Sequence, residues 1–354
     1  MSLLARYIGK TVFLNTLLVL LVLVSLSALF SFIGELDDVG KGDYSVKTAL
    51  AYIVLRMPGI AYELFPSSVL LGSLLGLGGL ASHSELTVMR SAGISIAQMA
   101  AAVAMIGLLL MMLVAALGEV VMPPSESQAQ ELRTAALSKR LSIRAKTGFW
   151  AKSDDLFINI KSVLPDSTLV NVSIYEFDGD ELASVTNAQQ AQQVAGTQWQ
   201  LQEVIKTEFL PESLNTTRLD TQQIDNLINP ELIQGLSVDP ESMSIRNLFS
   251  QIGYLKRNQL DSSQIELALW TKITNPLSTL VMLMLSLPFV FASQRSGSVG
   301  QKMFVGILLG IGYYLMNRLF THLGLANGLS PAVSTFIPLT LFSLFALLGI
   351  LRVK

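Results

Sequence analysis

The sequence has no cysteine and only two histidines among its 354 residues. Without a thiol, it cannot form a disulfide, a Cys-ligated zinc site, an iron–sulfur cluster or a thiol nucleophile. The histidines, His83 and His322, lie far apart along the chain, and neither belongs to the H-E-x-x-H pattern of a zinc hydrolase. The sequence therefore predicts no metal and no cofactor.

An excess of positive charge is also missing. The chain has 24 Lys and Arg against 26 Asp and Glu, which gives a formal net charge of −2. Proteins that bind nucleic acid neutralise phosphates with clustered basic side chains, and no such excess is present. We therefore expect no nucleic acid partner.

Motifs for nucleotide hydrolysis and acyl transfer are absent as well. The segment "IGKT" at residues 8–11 matches the end of a phosphate loop, but that pattern needs a glycine where Leu4 stands. No G-x-S-x-G nucleophile elbow occurs. The sequence predicts a chain that is not an enzyme and does not hydrolyse ATP itself.

Charge of either sign is scarce, whereas apolar residues are abundant. Only 14% of the residues are charged and 51% are hydrophobic, compared with about a quarter charged in an ordinary soluble domain. So much apolar surface indicates lipid as a second solvent. We expect membrane lipids to surround much of the chain.

Long uncharged runs predict six membrane spans, because a helix needs about 20 apolar residues to cross the hydrocarbon. The last two runs are separated by Gly324, Gly328 and Pro331, which are typical of a turn. The predicted runs are residues 11–34, 64–82, 91–118, 273–294, 303–317 and 319–351.

Basic residues in the short connections predict the orientation of these spans. Seven of them fall on the side of the membrane that holds both termini, which we therefore expect to be cytoplasmic. These seven are Arg6, Lys10, Arg90, Arg295, Lys302, Arg352 and Lys354. On the opposite side, the connection at residues 36–55 combines Lys41 and Lys47 with Asp37, Asp38 and Asp43.

A long connection between the third and fourth spans, residues 122–261, is then periplasmic. Strand-like alternation begins at Leu156, Thr168 and Gln198, and helical spacing follows Ser244. The sequence predicts an α-helical membrane protein with six transmembrane helices and an inserted antiparallel β domain, a sandwich or jelly roll. The predicted boundaries are 1–121 for spans one to three, 122–261 for the β domain with a returning amphipathic helix, and 262–354 for spans four to six.

The connection between spans two and three contains a candidate docking helix at about residues 82–93. Ser82 and Glu85 fit a capping box, and Leu86 and Met89 lie three residues apart on one face, with Arg90 beside them. An ordered helix in a cytoplasmic connection predicts a surface for a partner. The alternative is a connector that lies in the headgroup region.

Two charges near the outer ends of spans are candidate functional groups. Glu63 lies in the second span and Arg318 in the fifth, where a charge is costly and usually faces protein or a polar cavity. Either side chain could instead reach the headgroups. Both interpretations stay open on the residues alone.

Five segments together resemble a known family, the lipopolysaccharide export permeases LptF and LptG, with the residue-level likeness to LptG. They are spread in order over nearly the whole chain, which makes their combination specific. The segments are "RYIGKT" at Arg6, "LLGSLLGLGGLASHSELTVMRSAGIS" at Leu70, "WAK" at Trp150, "DPESMSI" at Asp239 and "WTKITNPLS" at Trp270.

This resemblance implies the permease subunit of an ABC exporter in a Gram-negative inner membrane, which extracts lipopolysaccharide and passes it to a periplasmic bridge. It implies LptF as paired permease, an LptB ATPase dimer, the adaptor LptC and a jellyroll-like β domain. The segment at residues 82–93 is then the coupling helix, and Glu85 matches the glutamate that contacts LptB. A secondary transporter and a membrane scaffold that displays a β domain remain the alternatives.

The resemblance also implies basic contacts to the lipid phosphates, and Arg133 matches such a position. Glu35, Asp37 and Asp38 stand where relatives place lysines, and Lys41 is nearby but displaced. We add Arg318 as a further expected phosphate contact. This expectation rests on its charge and its depth in the fifth span, and the family resemblance does not imply it. Possible apolar walls for acyl chains are Phe30, Phe65 and Phe320, although such residues more often face lipid or a neighbouring helix.

Overall fold

A computed structural model describes residues 3–137, 149–153, 156–163, 168–178, 181–195, 198–210, 213–225, 227, 239–292, 299–326 and 328–352. It consists of long helices with an antiparallel sheet inserted in the middle of the chain. Arg295 and Lys354, two of the basic residues behind the predicted orientation, lie outside these ranges.

The long helices confirm the six predicted spans. Within the described ranges, six helical segments are long and apolar enough to cross a membrane, the third of which combines α4 and α5. In chain order the α-helices are α1 Leu3–Glu35, α2 Val46–Ser82, α3 Glu85–Ser91, α4 Ile96–Ala116, α5 Met122–Leu137, α6 Ile245–Arg257, α7 Ser263–Ala292, α8 Val299–Ala326 and α9 Pro331–Arg352.

Successive long helices run in opposite directions, so the bundle has two distinct ends. Tyr7 at the start of α1 contacts Glu85 at the start of α3. Glu35 at the end of α1 contacts Arg133 in α5, the second part of the third span. The end that holds the contact between Tyr7 and Glu85 is named the α3 end. The opposite end, where the sheet is inserted, is named the sheet end.

Close contact between α1 and α2 depends on a glycine. A Cβ atom at Gly72 would lie 2.4 Å from the Cα atom of Thr16, so no other residue fits without moving the backbones apart. Small residues allow this kind of approach between membrane helices. The contact lies near the middle of α1 and leaves both ends of that helix to be held by other groups.

The second helix begins earlier than the sequence predicts. The uncharged run starts at residue 64, but α2 starts at Val46. Its early turns include Arg56, whose Nε atom lies 3.2 Å from Glu126 Oε1 of α5. A search for uncharged runs stops at such residues, although a helix can continue where their charges are paired.

A π turn, Leu117–Val121, joins α4 to α5. The amide of Met122 donates to the carbonyl of Leu117, five residues earlier. The next residue, Pro123, has no amide hydrogen and cannot donate to the Gly118 carbonyl. The wider turn therefore leaves the Gly118 oxygen without an amide partner in its own helix.

Lys272 of α7 supplies the missing donor. Its Nζ atom donates to the Gly118 oxygen at 2.7 Å and lies 3.7 Å from Glu119 Oε2. The lysine is buried, and a Cβ at Gly118 would come within 2.3 Å of the Tyr62 ring. Three spans therefore meet at the π turn.

The same Glu119 carboxylate holds the returning helix. It accepts from the Ile245 amide at 3.0 and 3.1 Å, at the beginning of α6, where free amides favour negative charge. Ser244 caps this helix by accepting from the Asn247 amide. A helix thus begins directly after Ser244, at the place where the sequence predicts the returning one.

The inserted domain is an antiparallel sheet, which confirms the predicted β class. Its described strands follow one another in sequence order, and it starts later than the predicted boundary because the third span continues to Leu137. An apolar core that includes Ile158, Val172 and Trp199 covers one side. The strands are β1 Phe149–Ser153, β2 Leu156–Val163, β3 Leu169–Asp178, β4 Glu181–Ala195, β5 Gln198–Leu210 and β6 Ser213–Asp225.

Replacement of Lys272 tests the role of the π turn. Lys272→Met keeps much of the side-chain volume but leaves the Gly118 carbonyl without a donor, so we expect the free energy of unfolding to fall by about 1–3 kcal/mol. Lys256→Met, which breaks an exposed pair with Glu266, should change it by less than about 1 kcal/mol. Denaturant unfolding in detergent measures both, and equal losses would contradict this role for Lys272.

Candidate functional site

The short helix α3 lies where the sequence predicts a docking helix, but Ser82 does not cap it. Ser82 is the last residue of α2 and donates to a carbonyl of that helix. Ser84, with φ 62°, precedes α3 and makes no side-chain cap. A true capping box opens α4, where Ser95 and Gln98 exchange bonds of 3.2 and 3.0 Å. The S-x-x-E spacing with Glu85 was misleading because it spans the end of one helix and the start of the next.

Leu86 and Met89 do not form the docking surface that the sequence predicts. They are 1% and 9% exposed and pack in the core of the helical bundle. A short helix beside a large core lowers its free energy by burying its apolar pair there. Val88, which sequence reasoning missed, is 65% exposed on α3, and Arg90 on the same helix is also exposed.

Glu85 occupies the first turn of α3, where its carboxylate is partly exposed. The hydroxyl of Tyr7, from the beginning of α1, donates to Glu85 Oε2 at 2.9 Å. Sequence reasoning missed this contact, which joins residues 78 positions apart. The α3 end thus presents a carboxylate, an apolar side chain and a cation on one short helix.

At the sheet end, Arg133 of α5 is held by two of the acidic residues that follow the first span. Its Nε atom lies 3.1 Å from Glu35 Oε2, and its Nη2 atom lies 2.5 Å from Asp38 Oδ2. Its guanidinium lies over the Tyr52 ring, 5.7 Å from the centroid. Two of the three acidic residues after the first span, Glu35 and Asp38, are therefore the partners of the predicted headgroup arginine.

Lys41 belongs to the same cluster. Its Nζ atom lies 2.7 Å from Asp38 Oδ1, although most of the lysine side chain is exposed. Tyr44 donates to Glu35 Oε2 at 2.8 Å. Burial and this hydrogen bond raise the pKa of Tyr44 well above its ordinary value, so its hydroxyl stays protonated as a donor. The cluster joins the ends of α1 and α5 to the start of α2.

Arg318 of α8 pairs with the other charge that the sequence singled out. Its Nη2 atom lies 3.1 Å from Glu63 Oε1, and its Nη1 atom lies 3.8 Å from Glu241 Oε1. Tyr314 contributes a ring 5.7 Å from the guanidinium. Burial raises the pKa of Glu241, and the positive charge of Arg318 opposes that rise.

A cavity of about 220 Å³, lined in part by Arg318, lies between α2, α5, α7 and α8. Its described lining includes Arg56, Glu63, Glu126 and Lys272 but does not include Arg133. Arg318 and Arg133 thus face different surroundings at the same end of the bundle. Within the described ranges, no group of three His, Cys, Asp or Glu residues is arranged to hold a metal ion.

The three phenylalanines predicted as apolar walls lie in different environments. Phe30 on α1 is 65% exposed, and Phe320 on α8 is partly buried. Phe65 is 3% exposed and packs in the bundle core. Its prediction as a wall residue is wrong because the bundle core, which includes Tyr62 and Val69 of the same helix, encloses its ring.

Comparison with known proteins gives a consistent match. The family model for the lipopolysaccharide export system permease LptF/LptG matches residues 6–352. The LptG permease protein of Escherichia coli (strain K12) is 33% identical over 350 residues, covering 98% of this chain and 97% of the relative. The LptG protein of Haemophilus influenzae is 33% identical over 339 residues, covering 95% of each chain.

Proposed function

The chain belongs to the lipopolysaccharide export permease family LptF/LptG, and from that premise we propose that it is the permease subunit of an ABC exporter. It extracts lipopolysaccharide from the inner membrane and passes it to a periplasmic bridge. A separate ATPase subunit hydrolyses the ATP, since the permease chain has no phosphate loop. The observation that carries this proposal is the identity to LptG across 98% of the chain.

The proposed partners are LptF, an LptB ATPase dimer and the adaptor LptC. LptF completes the permease pair, and each permease docks one LptB copy. LptC receives lipid at the sheet end, beside the inserted β domain. The α3 end is then cytoplasmic and the sheet end periplasmic, which is supported by the basic residues in the connections at the α3 end.

Helix α3 is the proposed docking element for LptB. Its partner-facing groups are Glu85, Val88 and Arg90, with Ser82 beside them. A carboxylate at a rim favours a basic partner residue, and an exposed apolar side chain such as Val88 gains by burial against the partner. Leu86 and Met89 do not contact LptB in this proposal. They pack in the bundle core and so hold α3 in place for docking.

Arg133 is the proposed contact for a lipid A phosphate, with Lys41 near it. A phosphate must displace Glu35 and Asp38, because their negative charges occupy the same donors and repel another anion. Substrate loading at Arg133 is thus an exchange of anions rather than the filling of an empty site.

At Arg318, a phosphate displaces the Glu63 carboxylate in the same way. Phe30 and Phe320 lie on less buried surfaces of α1 and α8 and supply apolar contacts for acyl chains. These contacts are individually weaker than the charged ones, because a single apolar side chain can be replaced by its neighbours.

Labelling of single cysteines tests the orientation, since the natural chain has none. Thr217 on β6 and Thr87 on α3 are both exposed. We expect a membrane-impermeant maleimide in the periplasm to label Thr217→Cys, and to label Thr87→Cys only after the inner membrane is opened. The reverse pattern would overturn the orientation.

Purification of the complex tests the exporter function. The wild-type chain, expressed with LptF and LptB, should retain stoichiometric ATPase and bound lipopolysaccharide. Glu85→Ala should weaken ATPase binding by at least about tenfold, because it leaves a basic partner group unpaired, whereas Glu208→Ala on β5 should leave it unchanged. A wild-type chain that binds no ATPase would favour a secondary transporter or a scaffold.

Opposite changes at the Arg133 cluster test the anion exchange. Arg133→Glu should lower the amount of co-purifying lipopolysaccharide by at least about tenfold, and Asp38→Asn should raise it about two- to fivefold by removing a competing charge. The control Arg257→Glu changes an exposed arginine of α6 and should have little effect. If Asp38→Asn lowers loading as Arg133→Glu does, the cluster is structural and the exchange is refuted.

A further inference from the structure

The hydrogen bond between Tyr7 and Glu85 connects the first helix to the proposed docking helix. Tyr7 is 46% exposed, so the bond is not a requirement of core packing. Its hydroxyl reaches Oε2 of Glu85. Among the hydrogen bonds of the described residues, none involves Oε1 of this carboxylate, and that atom stays available to a partner.

Both sides of this bond are held by other contacts. Ile8, the neighbour of Tyr7, is 1% exposed in the bundle core, and the Thr11 hydroxyl donates to the Tyr7 carbonyl. On the opposite side, Leu86 and Met89 fix the orientation of α3 in the same core. The backbones that carry the phenol and the carboxylate are therefore fixed relative to each other.

The glutamate side chain itself has little else to orient it. The residue before it, Ser84, makes no side-chain cap, and a partly exposed glutamate ordinarily samples several rotamers. A tyrosine has only two side-chain torsions and loses little entropy when it holds a partner. One bond from the phenol is enough to select the direction in which the carboxylate points.

We propose that Tyr7 is a positioning residue for ATPase docking: it holds the Glu85 carboxylate by Oε2 and directs Oε1 toward a basic side chain of the ATPase. This inference rests on the proposed function, in which α3 binds the ATPase. A carboxylate that accepts one neutral hydrogen bond keeps its charge and its remaining acceptor sites. Tyr7 thus lowers the entropy that Glu85 loses on binding without competing for its charge.

Removal of one oxygen atom tests this role. Tyr7→Phe keeps the ring and should weaken the binding of purified ATPase to the permease pair in nanodiscs by about two- to tenfold, the cost of ordering one flexible side chain. Tyr175→Phe, a matched change in strand β3, should leave the dissociation constant unchanged. In the Glu85→Ala background, where the other permease and Val88 still bind the ATPase, Tyr7→Phe should have no further effect.

The remaining outcomes separate a failure of the positioning role from a failure of the proposed function. Wild-type affinity in Tyr7→Phe would refute the positioning role and leave the exporter function standing. An equal loss in the presence and absence of Glu85 would mean that Tyr7 acts on the fold and not through the carboxylate, which also refutes the proposal. A wild-type permease that binds no ATPase would overturn the proposed function and this inference with it.

Discussion

The pairing of charges in a medium of low dielectric constant is the constraint on which the sheet end depends. A charge between membrane helices is costly unless it is paired or hydrogen-bonded. Arg133 meets Glu35, Arg318 meets Glu63, and the buried Lys272 meets a carbonyl released by the π turn. Each of these contacts joins different helices, so the groups that satisfy the charges also fix the relative positions of the spans.

The helical part of the fold is readable from the sequence because apolar length has a direct physical meaning in a bilayer. The early start of α2 is not readable in this way, since Glu63 ends the uncharged run and Arg56 interrupts the turns before it. Their partners, Arg318 and Glu126, lie far away in the sequence. Strands β4 and β6 escape a search for alternation because their exposed faces are long and polar, with residues such as Gln189 and Thr217. Their place is set by pairing with neighbouring strands.

The candidate site shows the same limit at the level of single residues. The depth of Arg318 can be predicted from helical rise, but its partner Glu63 lies 255 positions away, beyond any local pattern. Spacing placed Leu86 and Met89 on one face of α3 and could not say whether that face meets a partner or the chain's own core. The family resemblance singled out Glu85 as an expected ATPase contact, whereas its hydrogen bond with Tyr7 is visible only in the folded chain.

The first helix carries a consequence for communication across the membrane. α1 has 33 residues, so it is about 50 Å long. One of its ends holds Glu85 through Tyr7, and the other holds Arg133 through Glu35. In the proposed function, the anion that displaces Glu35 from Arg133 and the ATPase that binds Glu85 would therefore meet opposite ends of one helix. Any coupling free energy between two such sites is reciprocal, so a change in one affinity would appear as an equal factor in the other.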